Sequence, residues 1–231
     1  MSARQTILSR VQKACDPENN NAAPDVGSNR AELLARMPAD VQLRINHPER
    51  LTQPSVPANI VDTLIERMEA VQMTITRLQS SDDVVAAVDW YLQENNIDGD
   101  MRVSPALQHL QWPDKTGYGA AQASDTTGVN TVKAAIAETG SLVFQTDNDS
   151  PATLNFLPEN QVVVVYESQV VSHLEGAWQK TMGEDGDVPR AINLVTGPSR
   201  TGDIEQTIEL GAHGPKRVHV LLVSADPATL E

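Results

Sequence analysis

The stretch Val195–Val223, VTGPSRTGDIEQTIELGAHGPKRVHVLLV, decides the fold predicted for this chain. The segment that leads into it, Ala191–Thr196, is apolar and bounded by turn residues, which predicts a buried strand. A helix is predicted over Thr201–Leu210, because its apolar residues have helical spacing and carboxylates lie in its first turn. The glycine that follows, Gly211, would end this helix. Val218–Val223, VHVLLV, is the next predicted strand. A strand, a helix and a strand of these lengths predict a right-handed βαβ crossover within a parallel sheet.

Helices and strands also alternate upstream of this unit. Asn59 and Ser81 each precede an amphipathic helix, and Gln161–Tyr166 is a run typical of a strand buried on both faces. The alternation predicts a three-layer α/β fold, with a mostly parallel sheet and helices on both faces. His109–Thr127 is interpreted as a loop, and Thr131–Gly140 fits either a helix or a short strand. The other predicted elements are strands at Met73–Leu78, Met101–Val103 and Ser141–Thr146, and a helix at Ser168–Met182 with Val170, Val171, Leu174 and Trp178 facing inward.

Residues 1–56 are predicted to lie outside the regular domain, which occupies residues 57–231. Ser2–Ala14 fits an amphipathic helix, and Asp16–Ser28 has the polar, patternless composition of a flexible linker. A tethered helix cannot bury its apolar side alone. We therefore expect the N-terminal helix to pack on a partner protein or on a second copy of the chain. In the second case the protein would be a homo-oligomer.

The composition narrows the classes of partner. The chain of 231 residues carries 17 basic and 31 acidic residues, a formal net charge of −14, which argues against nucleic acid and anionic membrane surfaces. The single cysteine, Cys15, cannot form an internal disulfide, a cysteine zinc site or an iron–sulfur cluster. No apolar run approaches the ~20 residues that cross a bilayer, and the start lacks the apolar core of a secretion signal. We therefore expect a cytoplasmic protein.

The best candidate ligand site is the turn between the predicted strand and helix. Gly197 and Pro198 stop the strand, and Ser199, Arg200 and Thr201 offer donors beside the free N–H groups of a helix start. Open α/β sheets place ligands at the carboxyl ends of their strands, so this turn could hold a small carboxylate or phosphate. The structural alternative is that these groups only cap the helix, with the guanidinium paired to a carboxylate of the first turn.

The histidines do not have the spacing of a metal site. None of the five lies three or four residues from another, so we predict no bound metal. His213, in the turn before the last predicted strand, could face the ligand of the neighbouring loop. A surface turn is the structural alternative for this residue.

Three segments resemble the lactate-utilisation protein C family, the LUD domain. TGPSRTGDIEQ at Thr196–Gln206, followed by LGAHGPKRVHVLLV, is similar to the family's C-terminal signature, and AAIAETGSLVF at Ala134–Phe144 is similar to its other strong motif. ARQTILSRVQKA at Ala3–Ala14 is similar to the usual start. The family typically has Ala at the position of Gly202 and often has His at the position of Gln161.

The resemblance implies a fold similar to the sugar-phosphate isomerase, deaminase and coenzyme A transferase group. In coenzyme A transferases a Glu before a glycine turn is the nucleophile. By analogy, Glu138 is a weak catalytic candidate, and Thr139 and Gly140 are candidate ligand contacts. The alternative is a plain turn into the strand Ser141–Thr146, with the glycine present for backbone freedom.

The resemblance further implies an accessory subunit that works with iron–sulfur partner proteins in the oxidation of L-lactate to pyruvate. This oxidation needs an electron acceptor, and the sequence has neither a G-x-G-x-x-G dinucleotide motif nor a cysteine set for a cluster. The redox cofactor is therefore expected on a partner. The alternative is a stand-alone isomerase- or transferase-like enzyme, or a sensor, that acts on a small anionic metabolite.

We expect the purified protein to contain no stoichiometric iron, other metal or flavin, because it has one cysteine and dispersed histidines. Elemental analysis and an absorbance spectrum of the freshly purified chain measure this directly. Stoichiometric iron or a flavin band would contradict the assignment of the redox cofactor to a partner.

Overall fold

A parallel sheet is the centre of the computed structural model, which describes residues 53–182, 189–202 and 209–224. Its six strands are Thr74–Leu78 (β1), Asp100–Val103 (β2), Gly117–Tyr118 (β3), Asp125–Thr131 (β4), Asn160–Tyr166 (β7) and Arg217–Val223 (β12). They lie in the order β1-β12-β7-β4-β2-β3, and every neighbouring pair is parallel. The predicted α/β class with a mostly parallel sheet is confirmed. The predicted N-terminal helix and linker lie outside the described residues.

Strand β7 is buried on both faces, as its run of valines predicts. All seven of its residues are buried, and it lies between β12 and β4. Val163 and Val165 belong to one apolar cluster, whereas Val162 and Val164 belong to a second cluster on the other face. Each face of the sheet therefore has its own apolar core.

Two helices cover opposite faces of this sheet. The helices of the described residues are Ile60–Ala70 (α1), Val84–Glu94 (α2), Thr153–Phe156 (α3) and Leu174–Thr181 (α4). Leu64 and Met68 of α1 pack in the cluster of Val163, and Val88 of α2 packs in the cluster of Val162. Among the residues that the structure describes, no helix is long and apolar enough to span a bilayer.

Both long helices begin after a capping side chain. Asn59 caps α1 as predicted, because its Oδ1 accepts a hydrogen bond from the N–H of Asp62 at 3.2 Å. The second cap is Ser80 rather than the predicted Ser81. Its Oγ accepts from the N–H of Asp82, and a single 3₁₀ turn over Ser81–Asp83 separates this cap from α2.

A second sheet shares the α1 face of the parallel sheet. Its strands are Ala134–Ile136 (β5), Ser141–Gln145 (β6), Val170–Val171 (β8) and Ile192–Val195 (β9), in the order β8-β5-β6-β9. Leu142 and Phe144 of β6 pack in the same cluster as α1. The segment Thr131–Gly140, left open between helix and strand, therefore contains a strand, and the predicted strand Ser141–Thr146 is confirmed.

The predicted βαβ crossover is wrong, because its two strands belong to different sheets. Strand β9 pairs antiparallel with β6, whereas β12 pairs with β1 and β7 in the parallel sheet. The bounds of the predicted helix Thr201–Leu210 are also wrong. Arg200–Thr201 (β10) pairs antiparallel with Glu209–Leu210 (β11), so a helix neither begins nor ends where the apolar spacing placed it. Residues 203–208 lie outside the described residues.

Strand β4 was not predicted, and its first residues occupy part of the expected loop His109–Thr127. Its sequence, DTTGVNT, has no apolar run, and its burial depends on paired polar groups instead. Both oxygens of the Asp125 carboxylate accept from the Arg102 guanidinium, at 2.9 and 3.2 Å. Burial opposes ionisation of Asp125, but hydrogen bonds from Arg102 and from the Gln122 N–H outweigh it and lower the pKa of this carboxyl.

The predicted helix Ser168–Met182 is confirmed only over its second half. Helix α4 begins at Leu174, and Val170–Val171 form strand β8. Leu174 and Trp178, which were predicted to face inward, are about half exposed. Val170 and Val171 belong to a strand, so the inward-facing side of the helix was predicted from two residues that are not part of it.

A buried histidine lies between α2 and the parallel sheet. His219 of β12 is 3% exposed, and its ring stacks on Tyr91 with the centroids 4.0 Å apart. Its Nδ1 is 2.8 Å from Thr74 Oγ1. Burial lowers the pKa of His219 from 6.5 to about 4, and burial also raises the pKa of Tyr91.

We expect His219 to make the folded chain less stable as the pH falls from about 6.5 to about 4. In this window the unfolded chain binds a proton that the folded chain excludes, at a cost of about 3 kcal/mol once the pH is below both values. Thermal melts of the parent and of His219→Gln across this range measure the effect. The variant should lose less of its melting temperature on acidification, whereas His213→Gln, in an exposed turn, should follow the parent. Parallel pH profiles for all three would contradict the assignment.

Candidate functional site

The two motifs singled out in the sequence meet at the β6–β9 edge of the second sheet. Leu142 of β6 is the register partner of Val195 of β9. Just before and after this pair, Ser141 Oγ is 2.7 Å from Thr196 Oγ1, and Thr139 Oγ1 is 2.7 Å from Ser141 Oγ. A chain of three hydroxyl groups therefore joins the Glu138–Gly140 turn to the loop that starts at Thr196.

The glycine of each motif packs against the end of α1. Gly140 has φ +69°, and a Cβ there would stand 2.8 Å from backbone atoms of Arg67 and Met68. Gly197 has φ +90°, and a Cβ there would stand 2.6 Å from the carbonyl oxygen of Val71, the C-cap residue of α1. Only glycine combines such a backbone conformation with such close approach. Both motif turns are therefore fixed against the same helix end.

The Gly197–Thr201 loop lies at the amino ends of two parallel strands, not at their carboxyl ends as expected. Val71 stands just before β1, and the Ser199 N–H donates to the carbonyl of Pro215, just before β12, at 2.8 Å. The expectation failed because β9 belongs to the second sheet, where it pairs antiparallel with β6, so its carboxyl end does not lie at the carboxyl edge of the parallel sheet. The free N–H groups of a helix start are also absent at Arg200–Thr201, which form β10.

The predicted ligand contacts of this loop belong to one folded-back segment. Two hydrogen bonds of Ser199 close this segment: its carbonyl accepts from the Gly211 N–H at 3.0 Å, and its N–H donates to the Pro215 carbonyl at 2.8 Å. Arg200 and Thr201 lie before Gly211 in the chain, and His213 lies between Gly211 and Pro215. Arg200 and His213 are exposed, and Pro198 and Thr201 are partly buried. Ligand binding by these residues stays a prediction. Because Arg200 and Thr201 form a strand, the binding groups would be side chains and not the N–H groups of a helix start.

Glu138 is paired with a histidine that sequence reasoning did not connect to it. His173 Nδ1 is 3.1 Å from Glu138 Oε2, with the side chains 18% and 27% exposed. The pairing of β5 with β8 brings them together, because Ile136 stands beside Val171 in register, and the Glu138 N–H donates to the Ser172 carbonyl. The two residues are 35 positions apart, so no local spacing signals their contact.

A carboxylate bound to an imidazole nitrogen is an arrangement with known chemical uses. When Nδ1–H of His173 donates to Glu138, the Nε2 atom is left as a proton acceptor whose direction is fixed. The same carboxylate, partly exposed beside the Thr139 hydroxyl, could instead act as a nucleophile.

Gln161, where the related family often has His, belongs to a buried amide network. Its Nε2 donates to Asn155 Oδ1 at 3.1 Å, and Asn130 Nδ2 donates to the same oxygen at 2.9 Å. All three side chains are fully buried and join α3 to β4 and β7. This position holds the fold together in the present chain.

The described residues contain no group of three or more His, Cys, Asp or Glu side chains that could hold a metal ion. This finding covers residues 53–182, 189–202 and 209–224. The Glu138–His173 pair offers two ligands, one fewer than a protein-held catalytic zinc site uses.

We expect Gly140→Ala to destabilise the chain far more than Gly119→Ala. Both glycines have positive φ, which costs alanine about 1–2 kcal/mol, but a Cβ at Gly119 meets nothing within 4 Å. At Gly140 the clash with α1 should add roughly 1–3 kcal/mol. Urea unfolding of both variants measures the difference. Equal losses would show that the turn is not held against α1.

Known proteins match the part of the chain that carries both motifs. The LUD domain profile matches residues 61–223, which include both motifs. Lactate utilization protein C of Geobacillus thermodenitrificans is 28% identical over 135 residues, or 52% of this chain and 56% of that protein. The protein of the same description from Macrococcus caseolyticus is 24% identical over 170 residues, or 71% of each chain.

Coverage of these relatives is partial, and the structural likeness shows the fold alone. This chain spans 56% of the Geobacillus thermodenitrificans protein and 38% of its Geobacillus kaustophilus counterpart, to which it is 33% identical over 92 residues. A crystal structure of a DUF162 family protein from Deinococcus radiodurans superposes with a TM-score of 0.55 at 18% identity, over 74% of this chain and all of that one. Because the profile match extends over most of its length, the chain belongs to the LUD domain family.

Proposed function

We propose that this chain acts in lactate utilisation, as an accessory subunit of a system that oxidises L-lactate to pyruvate with iron–sulfur partner proteins. The observation that carries the proposal is the meeting of the two motifs at one place, within the segment that matches the LUD domain. Relatives that share this segment are described as lactate utilization protein C. The proposal therefore connects the place where the two motifs meet with the process that is named in the descriptions of the relatives.

The division of labour follows from the chemistry of the reaction. Oxidation of a 2-hydroxy acid to a 2-oxo acid releases two electrons and two protons, and an electron acceptor must receive the electrons. One cysteine in 231 residues cannot ligate an iron–sulfur cluster, so this chain does not hold such an acceptor by itself. Its contribution would be to bind a small carboxylate, or to hold the partner subunits in position.

A second candidate function is favoured by the Glu138–His173 pair. An oriented imidazole and a partly exposed carboxylate suit proton transfer or acyl transfer, which an isomerase- or transferase-like enzyme would perform on a small anionic metabolite. In that case the chain would be active without partner proteins. The two functions differ in whether the purified chain turns over a substrate alone.

A strain that lacks the gene should lose growth on L-lactate while its growth on pyruvate is unchanged, since only the oxidation step is removed. Growth curves on the two carbon sources measure this, and a tagged chain should co-purify with cysteine-rich iron–sulfur proteins. Parental growth of the deletion strain on L-lactate would contradict the proposal.

Complementation of that strain separates the roles of the site. Glu138→Gln should lower L-lactate oxidation in extracts, by roughly a hundredfold if the carboxylate takes part in proton transfer. Glu175→Gln, in the first turn of α4, makes the same change of charge at an exposed position and should restore full activity. Equal activity of both variants would limit the chain to a scaffolding role in the same system.

A further inference from the structure

A cavity of about 600 Å³ lies on the α2 face of the parallel sheet, away from the two motifs. Its walls are the side of α2 that carries Val85 and Leu92, Met101 of β2, and the segment that carries Leu110 and Trp112. This volume lies within the range of small-molecule sites, roughly 300–1,000 Å³. The motif turns, by contrast, pack on α1, which covers the opposite face.

Trp112 is a fixed wall of this cavity. Its indole Nε1–H donates to the carbonyl of Leu107 at 2.8 Å, and Leu107 is buried in the core. The ring also packs against the apolar cluster beneath α2. Trp112 therefore lines the cavity and also packs in the core. A ligand would therefore meet an aromatic surface that is already in place.

Two carboxylates stand in the described lining of the cavity. Asp82 and Asp89 are seven residues apart, two turns along the α2 side, and no lysine or arginine is among the lining residues that the structure describes. Asp89 Oδ2 accepts from Gln93 Nε2 at 2.9 Å, which holds that carboxylate in place. His109 and Gln111, on the opposite wall, add hydrogen-bonding groups.

We infer that this cavity binds a small organic cation with an apolar or aromatic body, an amine or a guanidinium. The apolar walls would take the hydrocarbon part, and the face of Trp112 attracts a cation. Asp82 and Asp89 would accept charge-assisted hydrogen bonds from it. Anions such as lactate are disfavoured, because two carboxylates and no basic Lys or Arg side chain face the space. The site is therefore independent of the one assigned to the proposed function.

Three probes of one shape test the charge preference in the full chain: phenethylamine, phenylacetate and 2-phenylethanol, which are cationic, anionic and neutral. Calorimetric titration should give the amine the lowest Kd, by about tenfold or more over the alcohol, with the carboxylate weakest. Equal affinities for the three probes, or no binding of the amine at millimolar concentration, would overturn the inference.

Matched variants locate the binding. The double substitution Asp82→Asn, Asp89→Asn should raise the Kd of the amine to that of the alcohol and leave the alcohol unchanged. Asp83→Asn removes one negative charge next to Asp82 but outside the lining, and should leave both values unchanged.

A blocking variant tests the cavity itself. Ala86 lines the cavity from an exposed position on α2, so Ala86→Trp should fill the space without disturbing the core. It should abolish binding of both the amine and the alcohol while the melting temperature stays near that of the parent. Retained binding in Ala86→Trp, or an equal loss in Asp83→Asn, would place the amine elsewhere and overturn the inference.

Discussion

The burial of strand β7 on both faces is the constraint on which the rest of this structure depends. A strand whose seven residues are all buried needs an apolar layer above and below it. Helix α2 covers one face, but α1 covers only part of the other, and Leu142 and Phe144 of the second sheet join α1 in that cluster. The second sheet therefore has a structural reason to exist, independent of any ligand.

This covering layer is also what builds the candidate site. Packing β6 beside α1 brings the turn before β6 against the end of that helix, and pairing β9 with β6 brings the second turn to the same helix end. Each approach is close enough to require a glycine, Gly140 in one turn and Gly197 in the other. The motif glycines thus serve the packing of the layer, whereas ligand binding by the polar side chains beside them stays a prediction.

The parts of the fold that local sequence determines were predicted correctly. Strands β1, β6 and β7 and the cap at Asn59 follow from apolar runs and a capping side chain, which act over a few residues. Strand β4 was missed because its burial depends on partners distant in sequence, such as Arg102 for Asp125. The assignment of β9 and β12 to one sheet failed for a related reason, since strand partners are chosen by the whole layer and not by the connecting segment.

The candidate site shows the same division between local and distant information. The resemblance pointed to Glu138, and the expected strand end and turn pointed to the Gly197–Thr201 loop, because both signals lie in continuous stretches of sequence. The resemblance could not point to His173, whose contact with Glu138 exists only because β5 and β8 pair. The argument from a helix N-terminus failed at Arg200, where the backbone is a strand.

The motif turns and the proposed cation cavity lie on opposite faces of one sheet, and different charged groups surround them. In a chain with a net charge of −14, cations are scarce, and a site for an anion must gather them. On the loop that closes the motif site, Lys216 is paired with Glu159 at 3.0 Å and Arg217 donates to Asn160 at 3.1 Å, whereas Arg200 and His213 are exposed.

The described lining of the α2 cavity instead presents carboxylates and no lysine or arginine. Its carboxylates would repel an anion, whereas the exposed Arg200 of the motif loop would repel a cation, so we expect the two places to prefer ligands of opposite charge. A buried apolar sheet between them keeps the two sets of charges apart. Strand β7, which needs a covering layer on each face, thus also lies between the motif turns and the proposed cation cavity.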